Sequence, residues 1–343
     1  MKNYLKKVVR KETIEDKTKF KAVLSQNERN YKLPDSFFES FIKTINQKDI
    51  FFYPSTTRLK QKLSKYLNIE TNNILLTPGS DIGIKTIFET FNLKDNNIIS
   101  SNYAFPMYSV YADLYETSLQ KIRYSKNGFN IRKILDKINN NTQFIILANP
   151  NSPLGDYYTF TEIKKLLDTG IHVIIDEAYI ELTDKKSLVD KIYEYKNLTI
   201  LRTFSKGYGA AGCRVGYLVS HENNIEMYGK FKFMYELSGI SIKYCEFILD
   251  NINYFNRYIE KTLLGKKKTV KKLNEKGLKL IDTSSSWFFL KHTQDIENIF
   301  KKNLVSFRTI KHPSDNSTYI KLNYDLVLKN NNLINDLLNV QLN

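Results

Sequence analysis

The sequence predicts an α/β protein, a large domain on a mostly parallel sheet followed by a smaller α+β domain. Two patterns say so. Between Tyr53 and Glu236, short apolar runs alternate with amphipathic segments of helical length, as strands buried on both faces do when helices cross over between them. Beyond Glu236 the pattern changes to long helical stretches and then to isolated strand-like runs. A chain of 343 residues has apolar surface enough for both units. The divisions read as an arm over 1–50, a large domain over 51–236, and a small domain over 237–343 to which the arm contributes.

The first fifty residues are polar and interrupted, with Pro34 at a turn, so they read as an arm packed on something else. Leu75-Leu76-Thr77 is a short buried strand, and apolar residues at three- and four-residue intervals make 81–91 helical. Runs 97–100, 144–148, 172–176 and 198–202 are apolar strands closed by polar or turn residues, with 163–167 amphipathic between two of them. Run 214–220 follows too soon for a helical crossover, which predicts at least one antiparallel strand. Helical spacing then covers 242–273, and strands are expected at 287–290, 306–308 and 319–322.

The charge balance, 52 Lys and Arg against 36 Asp and Glu, gives +16, a value shared by nucleic-acid and membrane-surface binders. Its distribution argues against both. Only nine of the cations are Arg, and the lysines are scattered. The densest group, Lys266, Lys267, Lys268, Lys271 and Lys272, has the spacing of a solvated helix face. A phosphorylated or acidic small molecule is compatible with the excess. Cys213 and Cys245 cannot build a disulfide framework or a four-ligand zinc site, and His172, His221, His292 and His312 show no metal spacing, so no metal is expected. No apolar core follows the basic N-terminus and no run approaches a membrane span; the expectation is a cytoplasmic protein without nucleic-acid or membrane partners.

Ligands of open α/β sheets gather where strands end, and four strand ends here carry unusual residues. Gly79-Ser80-Asp81 opens a helix, where backbone N–H groups can hold a phosphate, although Ser-Asp taken alone reads first as an ordinary cap. Asn149-Pro-Asn-Ser-Pro-Leu-Gly155 is an irregular turn after a buried strand. Asp176 ends an apolar strand and needs a cation, either a core Lys or Arg or a protonated ring nitrogen. Lys206 lies just past a strand among glycines and alanines, with the primary amine that Schiff-base chemistry uses.

In their order and spacing these segments resemble the fold-type I pyridoxal-phosphate enzymes, within them the class I and II aminotransferases of the histidinol-phosphate aminotransferase group. The resemblance runs from Asn27-Glu28 to about Tyr324. It implies an aspartate aminotransferase-like fold with a seven-stranded sheet in the large, cofactor-binding domain, pyridoxal 5'-phosphate as cofactor, and a homodimer. It makes Lys206 the lysine that bonds the cofactor and moves the substrate proton, and Asp176 the partner of the ring nitrogen. Tyr179 would bond the ring O3', aided by Ser152 or Asn151, and Phe105 would stack on the ring. Ser80, Asp81, Thr203, Ser205 and Arg214 would hold the phosphate, together with Tyr53 of the neighbouring subunit. Arg308 and Lys321 would meet the substrate.

Three departures from the family pattern stand out. Ser152 replaces an Asn and Leu154 a Thr in the Asn-Pro loop, Ile82 replaces a commonly acidic residue, and Lys321 replaces the Arg that grips the substrate carboxylate. Lys is a point charge and does not reproduce the two-pronged Arg–carboxylate pairing. The expected activity is transamination of a small phosphorylated amine or ketone. The alternative is decarboxylation of a phosphorylated amino acid, which the missing Arg would suit. A non-catalytic sensor would need a DNA-binding module, and there is no room for one before Tyr53.

Overall fold

The computed structural model describes residues 5–6, 8–9, 16–126 and 128–341. In chain order its strands are β1 (Ala22–Val23), β2 (Ile74–Thr77), β3 (Asn97–Ser101), β4 (Ser118–Ile122), β5 (Thr142–Ala148), β6 (His172–Asp176), β7 (Leu198–Thr203) and β8 (Gly216–Ser220). Then follow β9 (Leu280–Ile281), β10 (Trp287–Lys291), β11 (Val305–Ser306), β12 (Arg308–Lys311) and β13 (Thr318–Asn323).

Strands β2 to β8 form one seven-stranded sheet in the order β2-β8-β7-β6-β5-β3-β4. Every strand runs the same way except β8, which is antiparallel to both β2 and β7. This is the antiparallel strand that the short connection after β7 demands. Side chains alternate between two cores, with Ile145, Leu147, Val173, Ile175 and Ile200 on one face and Phe144, Ile146, Ile174 and Leu201 on the other. Helices cover both faces, Gly79–Thr90 and Met107–Leu114 on the second, Thr57–Leu67 and Phe160–Leu167 on the first. Each fully buried Ile or Leu adds roughly 1.5–3 kcal/mol, so the central strands fix the frame on which the site is built.

Beyond the sheet, the helical stretch divides at Asn251 into helices Gly239–Asp250 and Ile252–Glu275. A four-stranded antiparallel sheet, β12-β13-β10-β9, follows. The strand expected at 306–308 is two strands: β11 pairs in parallel with β1 of the arm, whereas β12 belongs to the four-stranded sheet. Lys266 also departs from expectation. It is buried, ion-paired to Asp282 and bonded to the Thr283 carbonyl at 2.7 Å, while its neighbours Lys267, Lys268, Lys271 and Lys272 are exposed. His172 is a packing residue, edge-on to Phe91 at 5.2 Å and bonded to Thr199 at 2.8 Å. No helix among the described residues is long and apolar enough to cross a membrane.

Behind the sheet edge, Arg202 of β7 pairs with Glu181 at 2.5 Å, both side chains nearly inaccessible to water. Glu177 lies beside them, bonded to Ser187 at 2.6 Å and to the Leu188 N–H at 2.8 Å. Burial pushes its carboxyl up to about 7. Removing one partner of such a pair strands a buried charge. Glu181→Leu is expected to cost about 3 kcal/mol or more in urea unfolding, and the double variant with Arg202→Leu to recover much of it. A single-variant loss under about 1 kcal/mol would contradict this view of the pair.

Candidate active site

Because β2, β3, β5, β6 and β7 run in one direction, their C-terminal ends share one edge of the sheet. That edge brings together Gly79, Ser80 and Asp81 after β2, Asn149 to Gly155 after β5, Asp176 at the end of β6, and Thr203 to Lys206 after β7. Arg214, just before β8, joins them because β8 runs the other way.

Asp176 is buried. One carboxylate oxygen accepts from the Tyr108 hydroxyl at 2.8 Å and the other from the Ala178 N–H at 3.0 Å. It has no salt bridge among the described residues. Burial raises its pKa above the ordinary carboxylate value, and the Asp81 charge adds to this, while the two donors and the Lys206 charge oppose it. Phe105 lies half-exposed ahead of the Met107–Leu114 helix, its ring edge-on to Tyr108 at 6.0 Å.

Lys206 is half-buried and donates from Nζ to the Gln26 carbonyl at 2.9 Å, which brings the arm over the sheet edge. The Tyr179 ring centre lies 5.8 Å from the same Nζ. Tyr179 accepts from Asn27 Nδ2 at 3.0 Å and stands edge-on to Trp287 at 5.0 Å.

A second group of residues shapes a cradle. Gly79 has φ +78°, and a Cβ there would collide with the Arg214 guanidinium. A Cβ on Gly216 would strike the backbone of Gly79 and Ser80, so glycine lets the Gly79–Thr90 helix start close against β8. Arg214 reaches from Nη1 toward Ser205 Oγ at 3.5 Å. The Thr203 hydroxyl donates to the Val215 carbonyl at 3.3 Å and accepts from the Ser205 N–H at 3.1 Å, which fixes the turn into Lys206. Helix N–H groups, hydroxyls and a guanidinium are a donor set suited to an anion.

In the Asn-Pro loop, Asn151 is buried with both ends of its amide engaged, Nδ2 on the Tyr103 carbonyl at 2.8 Å and Oδ1 on the Leu154 N–H at 3.1 Å. Ser152 beside it is half-buried. Arg308 and Lys321 face each other across the β12–β13 ladder. Arg308 is exposed, whereas Lys321 is buried with Nζ 3.9 Å over the Trp287 ring. Tyr53 is 78% exposed and stacks on Tyr235 at 4.2 Å, so within one protomer it is not gathered with the rest.

Three participants escape sequence reasoning: Tyr108, Gln26 and Trp287. Tyr108 carries a readable signal, a tyrosine in the apolar helix that follows β3, whose hydroxyl needs a partner once the ring is buried. Gln26 acts through its backbone, which no residue type announces.

The class I and II aminotransferase family profile matches residues 20–312. The histidinol-phosphate aminotransferase of Brachyspira hyodysenteriae is 32% identical over 289 residues, covering 82% of this chain and 79% of that protein. The crystal structure of histidinol-phosphate aminotransferase from Sinorhizobium meliloti, in complex with pyridoxal-5'-phosphate, superposes with TM-score 0.78 at 17% identity over 93% of this chain and 89% of that one. L-threonine-O-3-phosphate decarboxylase from Porphyromonas gingivalis shares the fold with TM-score 0.76 at 22% identity, covering 92% and 98%.

Tyr108→Phe leaves Asp176 with the Ala178 N–H alone. Loss of one hydrogen bond to a charged group predicts about tenfold weaker retention of pyridoxal phosphate, measured by equilibrium dialysis. Unchanged retention would remove Tyr108 from the site.

Proposed function

The chain belongs to the class I and II aminotransferases, pyridoxal-phosphate enzymes, and on that premise we propose that it exchanges an amino group with a small phosphorylated ketone or amine. The observation that carries this reading is the presence, at one sheet edge, of a primary amine and a buried carboxyl that has no salt bridge among the described residues. The residues fit the cofactor. Asp176 would hold the proton of the ring nitrogen, Tyr179 would bond O3' with Ser152 beside it, and Phe105 would cover the ring face. The helix start at Ser80 and Asp81, with Thr203, Ser205 and Arg214, would hold the phosphate. Both ends of the Asn151 amide are engaged, with the Tyr103 carbonyl and the Leu154 N–H, so its share is to tie the Asn-Pro loop to the turn after β3.

Pyridoxal phosphate, when bound, supplies an aldehyde that condenses with amines and a ring that accepts the electrons left at Cα. Lys206 Nζ would anchor the cofactor and, once released by the substrate amine, would take the proton from the substrate Cα and return it to the cofactor's C4'. Tyr108 and Ala178 keep the Asp176 carboxylate aimed while it does its part. The names of the relatives support a phosphorylated substrate, with histidinol phosphate one candidate. Arg308 and Lys321 would meet its charged end.

A homodimer completes the reading. Ile50, Phe51, Phe52 and Tyr53 form an exposed apolar run, and Phe233 and Met234 are exposed at 77% and 82%. Such surface calls for a covering partner, and a second copy would also bring its Tyr53 to the phosphate. Both cysteines are free thiols, in keeping with a cytoplasmic setting.

One observation favours the second reading, decarboxylation of a phosphorylated amino acid: Lys321 lies buried over Trp287, where a carboxylate-gripping Arg would stand in the family. The two separate in a single experiment. Holoenzyme given phosphorylated amines or phospho-amino acids without keto acid is expected to pass stoichiometrically into its pyridoxamine form without carbon dioxide release. Lys206→Ala is expected to lower the rate at least about 10²-fold and to abolish borohydride fixation. Catalytic carbon dioxide release would overturn the transaminase reading, and full activity of Lys206→Ala would overturn the site.

A further inference from the structure

Lys321 stands on β13, between Phe289 of β10 and Arg308 of β12 in the ladder. Directly opposed residues of a sheet share a face, so Arg308 and Lys321 project side by side. Their settings differ. Arg308 is exposed, whereas Lys321 is 9% accessible, with Nζ 3.9 Å over Trp287 and 6.0 Å from the Tyr179 ring centre. The groups that face it are Lys206 from the turn after β7, Arg308 from β12, Tyr179 from the turn after β6, and Trp287 from β10. Two are cations and none is an acid, and Lys321 has no ion pair among the described residues. The Trp287 ring at 3.9 Å and the Tyr179 ring at 6.0 Å offer their faces to the ammonium, the indole being the nearer.

Burial first, then the Lys206 and Arg308 charges, bring the Lys321 amine down to about 7. An arginine at this position would stay charged throughout. The substitution therefore changes more than geometry, because it makes one of the two substrate-end cations conditional.

We propose that Arg308 and Lys321 act as one anion clamp in which Lys321 takes up a solvent proton together with the anion, so that the clamp selects a phosphate dianion over a carboxylate monoanion. This rests on the reading of the sheet edge as an aminotransferase site, and it deepens that reading by naming the group that the substrate end recognises. A dianion matches both charges. A monoanion is already matched by Arg308 and gives Lys321 less reason to charge, while the single-point ammonium offers no fork for its two oxygens. Lys321 is thereby a specificity-determining residue.

The test uses enzyme loaded with pyridoxamine phosphate, which fills the cofactor's own phosphate cradle and leaves the Lys206 amine free beside Lys321, and sulfate, a dianion that does not itself titrate near neutrality. Calorimetry in two buffers of different ionisation heat reads affinity and proton uptake together. If only the charged form of Lys321 binds, sulfate affinity is expected to fall about tenfold from about pH 6 to about pH 8, with uptake approaching one proton at the upper end. Acetate is expected to bind at least about tenfold more weakly than sulfate at the lower pH. Lys321→Arg should abolish the pH dependence and narrow the gap between the two anions. Lys321→Met should weaken sulfate binding at low pH and also remove its pH dependence, with unchanged thermal unfolding showing that the fold is intact.

A wild-type affinity that is flat with pH, a slope that persists in Lys321→Met, or acetate binding equal to sulfate would each overturn the clamp. Absence of sulfate binding at about pH 6 would do the same. Conversion of the pyridoxal-phosphate form to the pyridoxamine form by an amino donor, measured on the same batch of protein, keeps the two readings apart. Conversion with a failed sulfate test leaves aminotransfer standing without the clamp, and a passed sulfate test without conversion leaves the clamp standing without aminotransfer.

Discussion

A carboxyl group withdrawn from water without a salt bridge costs several kcal/mol unless its neighbours compensate, and among the described residues Asp176 is such a group. It ends the strand between β5 and β7, covered on either side by the apolar residues that make the sheet stable. Its two donors, Tyr108 and the Ala178 N–H, orient it without neutralising it. The surrounding arrangement answers this one constraint. Lys206 follows the adjacent strand, the anion cradle follows β2 and precedes β8, and the arm crosses above to hold Lys206 through Gln26. A ring that carries both a cationic nitrogen and a phosphate satisfies the carboxyl and the cradle together.

The frame was legible wherever burial left its mark on residue type. Strands β5, β6 and β7 are near-continuous apolar runs because both faces are covered, and β8 betrayed its direction by its nearness to β7. The edge strand β4 went unread, since its exposed Ser118 and Lys121 break the run. The split of 305–311 between two sheets was equally hidden, because it depends on the arm strand β1, nearly three hundred residues away, finding β11. Spacing alone places Lys266 in solvent, and only the tertiary fold supplies Asp282 and Thr283 to bury it.

The candidate site divides along the same line. Asp176, Lys206 and Arg214 could be singled out because a charge beside a buried strand demands an explanation, and the resemblance then gave each a role. Tyr108 meets Asp176 across 68 positions and Gln26 meets Lys206 across 180, one through a hydroxyl among many tyrosines and the other through a carbonyl that every residue has. Trp287 read as an ordinary strand residue. Its importance emerges only with Lys321 on one side of the indole and Tyr179 on another. The departures from the family pattern fall at both ends, Ser152, Leu154 and Ile82 beside the proposed cofactor site and Lys321 at the proposed substrate end.

The protonation state of the cofactor ring tests the central claim most directly. Holoenzyme reconstituted with pyridoxal phosphate carrying nitrogen-15 in the ring reports that state in its nitrogen chemical shift. A protonated ring nitrogen is expected at neutral pH in the wild type and an unprotonated one in Asp176→Asn. A wild-type ring nitrogen without its proton would contradict the role given to Asp176, and with it the reason for the geometry of the whole sheet edge.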